Sequence, residues 1–399
     1  MAPTFAALAA IFLALLAQIS NGQSVAAPHG AYLGCFELSK LERLMSPGAP
    51  LRLAASNLKD CSGFCRSKGH ALNAITPAFE CHCSSVVPAD AARAADSACT
   101  KGGSGAAVFY NHRNVNSTGC RVANVPMEKS RFSFHYNDYH ASFDNGVMTL
   151  KMEGSNGLRF TTNDGMHQYG LYQVAGKTTT ASGAVTAYYL RSSDDYNTQN
   201  WGTFDEIDFE FLNGNPSVPA GLWLNSFRKG MSGGERLVKP PEYQQRLRLA
   251  GGADAGNTFL TYTINWQPDQ VLWHTDGQQL LRRYYGENVT WVDMKGERFT
   301  RSYRPPVDPM HVTFSMWADQ DQNRAFGGAL DWSKSPFTSQ FKELRRVLCD
   351  APAATTRGPE WLYPADKAPR KDASKDAKKD AKRAERDARK AEKAAGSAL

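Results

Sequence analysis

The chain has 399 residues, more than the about 100 to 200 usual for one domain and enough to bury one large core beside a small module. Of its formal charge of +7, residues 366–393 supply +5 through twelve Lys or Arg against seven Asp or Glu, so the body is close to neutral. Beyond the first 22 residues no stretch is apolar for long enough to cross a bilayer, and no phosphate-binding glycine loop, metal-ligand set or serine triad stands out, so the chemistry should need no organic cofactor.

Residues 1–22 contain the apolar run Phe5 to Ala17, followed by small and polar residues, and read as a signal peptide; an uncleaved anchor is the alternative. Eight cysteines, an even number, fit the oxidising compartment that secretion implies, and the mature protein is expected outside the cell or in its wall. Six of them, Cys35, Cys61, Cys65, Cys81, Cys83 and Cys99, fall within 65 residues, the density of a small domain that needs crosslinks. Cys81-His82-Cys83 with His70 is spaced too tightly for a zinc knuckle, and no metal site is assigned. The order Tyr32-Leu-Gly-Cys35-Phe36, Cys61-Ser-Gly-Phe-Cys65, Cys81-His-Cys83, Cys99 and Ala106-Ala-Val-Phe-Tyr110 resembles a WSC domain over residues 30–111, with six cysteines where the usual pattern has eight. The resemblance implies a wall-glycan-binding role, with a plain spacer as the alternative.

Residues 112–119 form a short linker carrying the sequon at Asn116; a second sequon stands at Asn288. Cys120 and Cys349 bracket the region between them, and a disulfide joining them is expected to tie the first strand of a sandwich to the last. Closing so long a loop contributes on the order of 4 to 5 kcal/mol in the chain-entropy model.

Between those cysteines period two recurs: Val185, Ala187 and Tyr189 alternate with Thr186, Tyr188 and Leu190, and Leu260, Tyr262, Ile264 and Trp266 with Thr261, Thr263 and Asn265. Asp276-Gly277 between two short runs predicts a two-residue hairpin turn, and His311 to Trp317 another strand. Many short strands without helical periods predict an all-β, two-sheet sandwich with a small disulfide-rich module before it.

The most informative segment is Glu206-Ile207-Asp208-Phe209-Glu210. In a strand, positions i, i+2 and i+4 share one face, so Glu206, Asp208 and Glu210 point one way while Ile207, Phe209 and Phe211 pack behind. Three neighbouring like charges repel, which raises at least one carboxyl pKa toward the range a general acid needs. Two long glutamates leaning toward each other can approach the about 5 to 5.5 Å separation of retaining glycosidases. An acidic solvent-facing strand edge is the competing reading.

Asp205-Glu-Ile-Asp-Phe-Glu-Phe-Leu212 resembles the signature of glycoside hydrolase family 16. The resemblance implies a jelly roll over residues 120–350 with Glu206 as nucleophile, Asp208 assisting and Glu210 as acid/base. Its uninterrupted spacing is similar to the branch of lichenases, chitin-glucan transglycosylases and plant xyloglucan endotransglucosylase/hydrolases. Trp317-Ala-Asp, Gly327-Gly328-Ala-Leu-Asp331-Trp332-Ser-Lys-Ser-Pro-Phe337 and Leu224-Asn225-Ser-Phe227 resemble segments of the plant enzymes, although the cysteine-containing extension that closes those enzymes does not follow Asp350. The implied activity is a secreted, retaining endo-β-glucan hydrolase or transglucosylase acting on wall polysaccharide as a monomer, without nucleic acid. A non-catalytic wall-glycan binder or sensor is the contrasting reading. A structural Ca²⁺, carried by some members, is not legible in the scattered carboxylates. Tyr189, Trp201, Trp223, Trp317 and Trp332 are candidates to stack on sugar rings, against the alternative of core aromatics, and Asn225 and Arg228 to bond hydroxyls.

Residues 351–399 form a basic Lys/Ala-rich tail, a solvated helix or disordered segment that either solubilises the protein or adheres to acidic polymers. An adhesive tail predicts that deleting residues 364–399 lowers retention on pectate or alginate beads; a solubilising tail predicts no change.

Overall fold

A computed structural model describes residues 31–41, 51–52, 59–76, 78, 80–89, 92–99, 104–110, 120–154, 157–179, 181–193, 204–212, 221–229, 231–233, 236–238, 258–292, 298–318, 328, 330 and 332–349. The segments expected as signal peptide (1–22), linker (112–119) and tail (351–399) lie outside these residues, as do Trp201 and Asn116. The chain divides into units Met1–Ala354 and Thr355–Leu399, and everything below concerns the first.

Five strands come first: β1 (Ala31–Glu37), β2 (Leu51–Arg52), β3 (Leu72–Ile75), β4 (Glu80–Ser84) and β5 (Gly105–Tyr110). They form one sheet in the order β1-β5-β3-β4-β2. Helix Lys59–Ser67 presents Cys61 and Cys65, four residues apart and so on one face, to Cys81 and Cys83, two apart on one face of β4. The bonds Cys61–Cys81, Cys65–Cys83 and Cys35–Cys99 result. The sulfurs of Cys61, Cys65 and Cys81 lie within 4.8 Å of one another, but each is held in a disulfide and is not a thiolate ligand.

The remaining strands build an all-β sandwich. In chain order they are β6 (Cys120–Val125), β7 (Phe132–Tyr136), β8 (Ala141–Asp144), β9 (Val147–Met152), β10 (Leu158–Thr162), β11 (Gly170–Lys177), β12 (Ala184–Arg191), β13 (Glu206–Leu212), β14 (Gly221–Arg228), β15 (Met231–Ser232), β16 (Arg236–Val238), β17 (Leu260–Gln267), β18 (Gln270–Thr275), β19 (Gln278–Tyr284), β20 (Asn288–Val292), β21 (Arg298–Ser302), β22 (His311–Ala318) and β23 (Phe337–Cys349). The front sheet runs β15-β14-β13-β12-β22-β10-β7 and the back sheet β19-β18-β17-β11-β23-β9-β8, with β6 also on β23 and β20 paired with β21 as a separate ribbon. Cys120 and Cys349 are direct cross-strand partners of β6 and β23 and are disulfide-bonded. Asp276 and Gly277 turn β18 into β19 with φ of +46° and +77°, the positive pair a two-residue hairpin requires.

Between the sheets lies a core to which the front contributes Phe160, Tyr188, Ile207, Phe209, Phe211 and Phe314, and the back Tyr172, Tyr262, Ile264, Trp266, Trp273 and Phe341. Each such side chain contributes roughly 1.5 to 3 kcal/mol of burial. The rings of Phe209 and Phe211 meet Tyr262 edge-on at 5.6 and 4.7 Å, which fixes β13 against the opposite sheet.

The outer face of β17 is not solvated. Thr263 and Asn265, with Gln173 on β11 and His274 on β18, are no more than 2% exposed because the small module covers them. Tyr110 donates to Asn265 Oδ1 at 2.9 Å, the Val87 amide to Gln173 Oε1 at 2.7 Å and Arg345 to the Val87 carbonyl at 3.0 Å. Around these bonds Leu33, Phe36, Leu72, Val87 and Val108 of the module form one apolar cluster with Leu171 and Val347 of the sandwich. The polar outer face is therefore a seam rather than a wet surface.

His274 reports on that seam. Its Nε2 donates to the Gly69 carbonyl at 2.9 Å, its Nδ1 is buried without a hydrogen-bond partner, and burial holds its pKa down at about 4. Because the folded value lies below the unfolded one of about 6.5, stability is full above pH 6.5 and is lost as pH falls toward 4, by roughly 2 to 3 kcal/mol at pH 4.5. Urea unfolding at pH 7 and 4.5 should show this loss in the wild type and its near absence in His274→Gln.

Candidate active site

Strand β13 carries the acids, and its neighbours define their surroundings through register. Glu206 sits between Arg191 of β12 and Phe227 of β14, Asp208 between Tyr189 and Asn225, and Glu210 between Ala187 and Trp223. One strand further, His311, Thr313, Ser315 and Trp317 of β22 oppose Arg191, Tyr189, Ala187 and Val185; beyond these, Thr161 and Arg159 of β10 oppose Thr313 and Ser315. Cross-strand partners share a face, so these residues line the outer face of the front sheet with the acids.

Backbone anchors hold the row in place. The indole of Trp273 crosses the core from the back sheet and donates to the Asp208 carbonyl at 3.0 Å. Asp205, fully buried, accepts from the amides of Lys229 (2.8 Å), Val307 (2.6 Å) and Asp308 (2.9 Å), tying the start of β13 to two loops. The Asp205 amide donates to Ser192 Oγ at 2.8 Å, and the Ser192 amide donates to the Asp205 carbonyl at 3.0 Å.

Electrostatics separates the acids. Burial raises the Asp208 carboxyl well above the usual range, and the charges of Glu210 and Glu206 on either side add to the effect. The Glu206 side chain, hydrogen-bonded to Asp208, acts in the same direction. Burial also pushes Glu206 up, but the Arg191 guanidinium, ion-paired with Glu206 Oε2, and the more distant Arg159 act in the opposite direction. Glu210 is half-buried.

Of the residues singled out in the sequence, Tyr189, Trp223, Asn225 and Trp317 share the acids' face; Trp223 and Trp317 are half-buried, and Tyr189 and Asn225 are 3% exposed. Asn225 Oδ1 accepts from the Ser226 amide at 2.8 Å. Arg228 follows Phe227 and so belongs to the alternate face of β14. Trp332 lies in the short 3₁₀ turn Trp332–Lys334, 43% exposed and against Phe337, outside the front sheet. Asn288 opens β20, exposed. Sequence reasoning passed over Arg191, Asp205, Arg159 and His311. Arg191 was within reach, since Val185, Ala187 and Tyr189 extended by one period lead to it.

Asp208 supplies a stability prediction. Its folded pKa lies above its unfolded one, so the folded state is penalised as pH rises above about 4 and the unfolded carboxyl ionises. Asp208→Asn mimics the protonated acid and escapes the penalty. Thermal melts from pH 4 to 8 should find the variant at least as stable as the wild type at pH 7, with a flatter pH dependence.

A family model described as "Glycosyl hydrolases family 16" matches residues 128–334, and one described as "WSC domain" matches residues 32–108. "Probable glycosidase CRR1" of Saccharomyces cerevisiae is 28% identical over 207 residues, covering 50% of this chain and 42% of that protein. "Probable xyloglucan endotransglucosylase/hydrolase protein 23" of Arabidopsis thaliana is 30% identical over 208 residues, 51% of this chain and 62% of that protein. "Xyloglucan endotransglucosylase protein 7" of Diospyros kaki is 29% identical over 244 residues, 59% of this chain and 79% of that protein.

Proposed function

The chain belongs to glycosyl hydrolases family 16, and on that premise we propose that it is a secreted, retaining, endo-acting β-glucan hydrolase or transglucosylase of wall polysaccharide. The observation that carries the reading is the row Glu206, Asp208 and Glu210 on one outer strand face, backed by Ile207 and Phe209. Glu206, ion-paired as a carboxylate, attacks the anomeric carbon while Glu210 gives its proton to the departing glycosidic oxygen. The C–O bond breaks and a glycosyl ester forms on Glu206. Water or a sugar hydroxyl then loses its proton to Glu210 and attacks the same carbon, and Glu206 leaves as a carboxylate. Asp208, neutral and bonded to Glu206, keeps a second negative charge from the nucleophile while the ester forms and breaks.

The similar relatives include proteins named both as a glycosidase and as xyloglucan endotransglucosylases, and hydrolysis and transfer share the first half of this cycle. They diverge only in what resolves the ester. The eight cysteines, all in four disulfides, support export to an oxidising compartment, and the WSC domain supports a wall setting.

The test is incubation of the protein, beside Glu206→Gln, with xyloglucan, mixed-linkage glucan, laminarin and chitin, with and without fluorescent oligosaccharide acceptors. The wild type should shorten one polymer or move label into it, and the variant should lose this on the order of 10³-fold or more. Proton NMR of the first product should show the retained anomer. Binding without either change on any polymer would overturn the reading in favour of a glycan-binding protein.

A further inference from the structure

We infer that Arg191 is a positioning residue, one that holds Glu206 as a fixed, ionised carboxylate by engaging its Oε2. The inference rests on the nucleophile reading above and names the device that makes a buried nucleophile workable. Arg191 is the last residue of β12, directly across from Glu206, and its side chain is 5% exposed. Three contacts fix the guanidinium: Nη1 donates to Glu206 Oε2, Nε donates to the Ser193 carbonyl at 2.8 Å, and its carbon lies 3.8 Å from the centroid of the Phe204 ring. The reciprocal Ser192–Asp205 bonds clamp the two strands just beyond the pair. An arginine so held does not rotate away, whereas a lysine provides no fork and no planar face for the ring.

The charges around Glu206 make the choice of Arg191 specific. On its own strand stand Asp208 and Glu210; on β22 His311 lies beyond Arg191, its Nδ1 donating to the Thr162 carbonyl at 3.1 Å. On β10 Arg159 is three strands away in the sheet, and on β14 the residue opposite is the uncharged Phe227, with Arg228 on the alternate face and Lys229 ion-paired with Asp308. Of the described cations facing it, Arg191 alone touches the carboxylate. Burial works to protonate Glu206, and Arg191 is the largest influence against it. The arginine contact is made to Oε2.

The experiment is the pH profile of kcat/KM on whichever polymer the wild type accepts, for wild type, Arg191→Lys and Arg191→Met, with Glu206→Gln as control. The acid limb reports ionisation of the nucleophile in free enzyme. In Arg191→Met it should move up by about one pH unit or more, with kcat/KM reduced at pH 5 by about tenfold more than at pH 7.5 and KM little changed. Arg191→Lys, which retains the charge, should recover part of the shift, and it also serves should the methionine variant not fold. An unmoved acid limb in folded variants, or a loss confined to KM, overturns the inference. Carbon-13 NMR titration of the Glu206 carboxyl in the same proteins separates the two readings. An upward shift in Arg191→Met supports the positioning role even where Glu206→Gln is still active, an outcome that would sink the nucleophile assignment alone.

Discussion

A strand has two faces and no third, and this constraint governs the molecule. In β13 one face is spent on Ile207, Phe209 and Phe211, and the two phenylalanine rings fix the strand against Tyr262 of the back sheet, so Glu206, Asp208 and Glu210 have only the outer face. Three acids confined to one face and largely removed from water cannot all be charged. The surroundings divide them: burial and its two neighbours push the Asp208 carboxyl toward its neutral form, Glu206 receives an arginine from the adjacent strand, and Glu210 is left half-buried beside Trp223.

The fold supplies the stiffness this division needs. The site is built on strands rather than on loops, and its backbone is pinned from behind by the Trp273 indole and from the end by the buried Asp205 carboxylate. A small displacement of β13 would carry all three acids together, so their mutual geometry is preserved as long as the strand pairs with β12 and β14. That is a physical reason for concentrating a reaction on alternate residues of one strand.

Much of this was legible before any coordinates. Alternation marked both the acid face and the all-β class, and Asp276-Gly277 marked its hairpin, because strand periodicity and positive-φ turns are local properties. What escaped were relations between strands. Arg191 lies fifteen positions before Glu206 in the chain, and only the register of β12 against β13 makes them partners. Arg228 shows the converse: adjacency to Phe227 in sequence puts it on the other face. Asp205 reads as one more acid in the signature, yet it serves as an acceptor for three backbone amides, and nothing local separates it from Glu206.

The seam between the small module and the back sheet has a bearing on how such a chain can be divided. The two family models end and begin at residues 108 and 128, as though two parts had been threaded on a string. The energetic joint runs elsewhere, through Tyr110 and Asn265, Val87 and Gln173, and the apolar patch of Leu171 and Val347. A sandwich cut free between the two matched segments would bare that patch and leave polar groups such as the Gln173 amide to find water. The module is thus a lid on its neighbour rather than a portable appendage, and recombination that exchanged it for an unrelated domain would have to replace a surface.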